Sequence, residues 1–131
     1  MTLSEYVQKQ VNSLIDKLVA QAQVTERDTS DDAIHDLRTG IRRLNETLRV
    51  FEDLFPRGAA KTVRNDLRVA MRLAGDARNV DIARALMIKA KLDPRPSLTA
   101  DRAGAEDKLM NVLAGWNRGA AYKAWREQLN A

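Results

Sequence analysis

Arginine is concentrated in one stretch of this 131-residue chain. Between His35 and Arg84 stand eleven cations, ten of them arginine with Lys61 the exception, against seven acids. The rest of the chain is balanced at eleven against eleven, so the whole formal net charge of +4 resides in that stretch. The planar fork of arginine meets phosphate or carboxylate oxygens in pairs, whereas lysine acts as a point charge. Recognition of an oxygen-rich anion is the chemistry such a stretch predicts.

Spacing sharpens the expectation. Ile34, Leu37, Ile41, Leu44, Leu48, Phe51 and Phe55 recur at alternating steps of three and four, the signature of a helical seam buried against neighbours. One position beyond that seam stand His35, Arg38, Arg42 and Arg49. The following helix repeats the device, with Lys61 beside Ala60, Arg64 beside Val63, Arg68 beside Leu67 and Arg72 beside Met71. A cation next to a buried seam is anchored at its base, so two such edges side by side form a groove suited to a linear polyanion. The competing reading is a solvated face, since Arg42 with Glu46 and Arg72 with Asp76 have the spacing of helical ion pairs. Against it, Arg64, Arg68 and Arg72 set like charges at four-residue steps, each costing about 0.2–0.5 kcal/mol unless an anion compensates.

Other chemistries find little support. The absence of cysteine and the presence of one histidine exclude disulfide, thiolate-metal and histidine-built metal sites, so no metal and no cofactor is expected. Gly75 and Gly115 stand alone rather than in a phosphate loop, and no carboxylate pair sits in an obvious pocket with a histidine base. The chain is therefore not expected to be an enzyme. Trp116, Tyr122 and Trp125, at helical spacing beside Val112 and Leu129, read as core rather than as a base-stacking platform. Met71, Met87 and Met110 read as gap-filling residues.

The elements that must position the arginines are helical. With 31% charged residues, 5% aromatic residues and three prolines, the composition predicts an all-α protein, and the length suits one domain over residues 1–131. Thr2 or Ser4 caps a first helix with Leu3, Val7, Val11, Leu14, Leu18 and Ala22 on one face. Ser30, followed by Asp31 and Asp32, starts the seam helix, which Pro56 and Gly58 end. A third helix is expected to break near Gly75, and a fourth to run from Arg78 to about Lys91 with Ile82, Leu86 and Ala90 facing inward. After a turn at Asp93–Ser97 come a fifth helix carrying Leu109, Leu113 and Trp116 and a short last one carrying Tyr122, Trp125 and Leu129. Short connections favour an antiparallel bundle of about five to six helices.

His35, Asp36, Leu37, Arg38 and then Ile41, Arg42, Arg43, Leu44 resemble the opening signature of the CHAD family, the conserved histidine α-helical domain. The run from Leu73 to Ile82, which contains Gly75, Arg78, Asp81 and Val80, resembles its second block, and together they cover roughly residues 30 to 90. The resemblance implies a helical fold whose basic groove binds inorganic polyphosphate, in proteins found on polyphosphate granules or joined to triphosphate-processing modules. It carries over His35, Arg38, Arg42, Arg43 and Arg78 as binding residues; Arg49, Lys61, Arg64, Arg68 and Arg72 come from the edge argument. The family often has arginine where Asn45 stands and aspartate where Asn79 stands, and it usually contains two bundles related by a pseudo-twofold where this chain has length for one half.

A polyphosphate-binding helical module is the expected function. The alternatives are a nucleic-acid-binding helical protein using the same arginines, or a scaffold bundle meeting an acidic protein. With no targeting or membrane-spanning pattern, a cytoplasmic protein is expected, placed on polyphosphate granules by the resemblance. The missing half predicts a C2 homodimer, with Trp116, Tyr122 and Trp125 supplying the apolar contact.

Overall fold

The computed structural model describes residues 1–130. Five α-helices carry the chain: α1 Leu3–Arg27, α2 Asp31–Val50, α3 Ala59–Lys89, α4 Pro96–Arg118 and α5 Ala121–Asn130, with a single 3-10 turn at Glu52–Leu54. Among the described residues there is no strand. Local chemistry sets the first two starts. The Thr2 hydroxyl accepts from the Glu5 N–H while the Glu5 carboxylate accepts from the Thr2 N–H, a reciprocal capping box. The Ser30 hydroxyl accepts from the Ala33 N–H, with Asp31 and Asp32 in the first turn at the positive end of the α2 dipole.

The helices run up and down, α1 against α2, α2 against α3, α3 against α4, and α4 back on α1. One cluster forms the core: Val7, Val11, Ile15, Leu18 and Ala22 from α1, the Ile34–Leu48 seam of α2, Val63, Leu67, Ala70, Ala74 and Ala77 from α3, and Leu109 and Leu113 from α4. The fourth layer is shared by two helices. α4 covers the half of the bundle near the α1–α2 turn, where the Asn117 amide donates to Glu26 Oε1 at 2.7 Å. α5 covers the other half, tied to α1 by the Gln8 side chain donating to the Leu129 carbonyl at 2.7 Å. Trp125, 1% exposed, fills the space beneath and donates its indole N–H to Asp66 Oδ2 at 2.9 Å. Its ring meets Trp116 edge to face at 5.0 Å and Tyr122 at 5.4 Å. Burial and the Glu26 carboxylate push the Tyr122 phenol up to about 12.

Several expectations need correction. α3 is one continuous helix of 31 residues and does not break at Gly75. The apolar row Ala70, Ala74, Ala77 runs through that point without a change of register, and one mid-helix glycine costs only about 1 kcal/mol. Ile82, Leu86 and Ala90 do not face inward: Ile82 is 43% and Leu86 61% exposed, because the last three turns of α3 extend past the start of α2. The true stop is a Schellman motif, in which the Leu92 N–H reaches the Met87 carbonyl and the Lys91 N–H reaches that of Ile88. Lys91 occupies the left-handed position there, φ 60°, where glycine is usual. α2 ends at Val50 rather than at Pro56, and Phe55 reaches the core from the segment that follows. In α1, Ile15 rather than Leu14 is fully buried. Trp116 and Trp125 are core residues, so the carboxy-terminal segment does not offer the apolar contact expected of it for a dimer.

Charged clamps hold the end where α1 turns into α2. Arg102 of α4, its side chain 14% exposed, donates to Asp81 of α3 at 3.0 Å, to Glu106 at 3.3 Å and to the Thr29 carbonyl at 2.7 Å. Arg78 of α3 pairs with Asp31 at the start of α2. Hydrogen bonding from Arg78 holds the Asp31 carboxyl below its ordinary value of 3.8.

Gly75→Ala tests the continuous helix. No atom lies within 4 Å of an added Cβ, so the variant should gain about 0.5–1 kcal/mol in urea unfolding; a loss would mean that the chain departs from helix there. The Asp31 pair predicts acid sensitivity. A depressed folded-state value contributes stability above the unfolded value and loses it as pH falls through the folded one, here below 3.8. Asp31→Asn should therefore show a flatter decline in stability than the parent at that acid end and a lower stability at pH 7.

Candidate anion-binding cleft

α2 and α3 lie antiparallel, as the Asn45 to Arg64 contact near one end and the Asp31 to Arg78 pair near the other show. Their seams meet in the core, and the edges one residue further round open into a cleft of about 450 Å³. Its floor is Ile41, Leu67 and Met71; its polar walls are Arg42 and Asn45 from α2 and Arg64, Arg68 and Arg72 from α3. No carboxylate lines it. Neither helical ion pair of the solvated-face reading forms among the described residues: Glu46 pairs with Arg49 at 2.8 Å instead of Arg42, and Arg72 makes no salt bridge with Asp76. Four arginines thus face one concavity without a compensating acid on its walls.

Asn45 has a role that the reading of its type alone misses. Its side-chain oxygen accepts from Arg64 Nε at 3.1 Å. A neutral amide fixes the guanidinium without cancelling its charge, which a carboxylate in that place would do. The signal was present in the sequence, because Asn45 follows Leu44 at the same one-residue offset that selects Arg38, Arg42 and Arg49.

The other predicted residues divide by position. Arg38 stands one turn before Arg42, half-buried, and its Nε is buried without an acceptor among the described residues. A donor left unmet in this way costs about 1–3 kcal/mol, and Arg38 is not among the residues that line the cleft. Lys61 is exposed one turn before Arg64 and does not line the cleft. Arg49 is taken up by Glu46, whose carboxyl that hydrogen bond holds below the usual range, and Arg78 is taken up by Asp31. His35 and Arg43 line a different concavity of about 390 Å³, with Lys17 and Gln21 of α1, Asp36, Thr39 and Gly40. Arg43 follows Arg42 directly and so points about 100° further round α2, which removes it from the groove. Lys17 and Gln21 carry no pattern that would single them out in the sequence.

Among the described residues no group of histidine and acidic side chains is arranged to hold a metal ion, and no helix is long and apolar enough to cross a membrane. The arrangement suits multidentate binding of an anion that has several oxygens along its length. No curated protein and no solved structure matches the chain. The family model of the CHAD domain matches residues 9–131, nearly the whole sequence rather than the signature blocks alone. Signature, helical bundle and match together place the chain in the CHAD domain family.

Proposed function

We propose that the chain is a non-catalytic module that binds inorganic polyphosphate in the α2–α3 cleft. The observation that carries this reading is the set Arg42, Arg64, Arg68 and Arg72 around one concavity with no carboxylate on its walls. Each cation is rooted in the buried seam, so little side-chain freedom is lost when an anion arrives, and each fork can take two phosphate oxygens. Membership of the CHAD family supports the same ligand through the resemblance already drawn. Arg38, one turn before Arg42 on the same edge of α2, would extend the row through its exposed guanidinium end rather than through its buried Nε.

Polyphosphate is favoured over nucleic acid because Trp116, Tyr122 and Trp125 pack on one another and none lines the cleft, leaving no aromatic platform for bases. An acidic protein partner has less in its favour, since a narrow groove between two helices fits a thin linear chain better than a folded surface. Placement on polyphosphate granules would follow from the binding itself.

Titration with long-chain polyphosphate tests the reading. Arg42→Ala and Arg68→Ala should each weaken binding by about 1.5–3 kcal/mol, the scale of a hydrogen bond between charged partners, while Arg27→Ala on the far end of α1 should change it little. Affinity should fall as salt rises, and each cleft substitution should lower that dependence by about one unit of log–log slope. Equal effects of Arg27 and Arg68, or displacement of polyphosphate by DNA at equal phosphate concentration, would overturn the assignment.

A further inference from the structure

Past Arg78, α3 has no α2 beside it, because α2 begins at Asp31. From there to Asp101 the last turns of α3, the connecting loop and the first turn of α4 form a hairpin that extends beyond α2, and none of its described residues belongs to the core. On the side where α2 would lie, Ile82 and Leu86 stand one turn apart, 43% and 61% exposed, with Ala83 and Ala90 at their edge. The two ends of this face carry opposite charge. Asp32 stands at the bundle end, exposed and in no ion pair among the described residues, and Lys89 stands at the tip end in the same condition.

We infer that this face is the contact for a second copy of the chain, docked antiparallel about a twofold axis between Ile82 and Leu86. A twofold at that point sets Ile82 against Leu86 of the second copy and Asp32 against its Lys89, twice over. A face with an apolar centre, an acid at one end and a base at the other is complementary to itself only in the antiparallel sense. The flanking alanines let the two helices approach closely. The second copy's α3 then ends at the level of Asn79, so the cleft around Arg64, Arg68 and Arg72 stays open in the dimer. The inference is independent of the ligand and relocates the apolar contact from the carboxy-terminal aromatics to α3. Two large apolar side chains per copy make a small interface, so dissociation is expected at about 10–100 µM.

Sedimentation equilibrium of the full chain from about 5 to 500 µM tests it, a range chosen to bracket that affinity. The mass should rise from 14.7 kDa toward twice that value. Leu86→Glu should remain monomeric throughout with unchanged helicity and unchanged polyphosphate titration, since its side chain lies outside core and cleft. Asp32→Lys and Lys89→Glu should each weaken association at least about fivefold, and the double variant should return to within about twofold of the parent, because the exchanged charges again oppose each other. A parent that stays monomeric leaves the face to another protein or a membrane surface and overturns the inference. So does a Leu86→Glu protein that associates like the parent, or a double variant that fails to recover.

Discussion

The burial of the α2 and α3 seams against each other is the constraint on which the rest of the structure depends. Ile34, Leu37, Ile41, Leu44 and Leu48 on one helix and Val63, Leu67, Ala70, Ala74 and Ala77 on the other are removed from water in a single cluster. Each large aliphatic side chain so buried contributes about 1.5–3 kcal/mol, while each like-charge pair along α3 costs about 0.2–0.5 kcal/mol. Burial wins by a wide margin. The arginines one residue off the seam are held together by packing that does not concern them, against their mutual repulsion, which an anion among them would relieve.

The same margin explains what was legible in the sequence and what was not. The seam and its basic edge were legible because a 3.6-residue period converts position directly into direction: Arg42, Arg64, Arg68 and Arg72 line one cleft as their offsets require. The caps at Thr2 and Ser30 were legible because each is a local hydrogen bond between residues three apart. Gly75 misled, since a glycine reports only a weak local preference and the row Ala70, Ala74, Ala77 decides over it. The outward turn of Ile82 and Leu86 was not legible at all. Their spacing is that of a buried face, and whether a partner helix covers it depends on where α2 begins in space.

Division of the fourth layer between α4 and α5 belongs to the same class. Gly119 ends α4 halfway down the bundle, and α5 completes the layer with Trp125, whose indole N–H finds Asp66 across 59 positions of sequence. A pairing at that separation has no local signature; only the helical spacing of the aromatics announced that they were core. His35 and Arg43 show the limit from the other side, since a motif that is contiguous along α2 is divided by the helix between two concavities.

α3 is continuous in its hydrogen bonding but not in its energetics. From Ala59 to Ala77 it is held by buried side chains, whereas from Arg78 to Lys89 it leans on α4 and on the bonds from Arg102 to Asp81 and Thr29. Local opening free energy follows buried contact, so one rod contains two cooperative units. Amide hydrogens of its first half are therefore expected to exchange only when the bundle unfolds as a whole. Those of its last three turns are expected to exchange through a separate opening of the hairpin, for which the Arg102 contacts to Asp81 and Thr29 must break while the α2–α3 cleft stays intact.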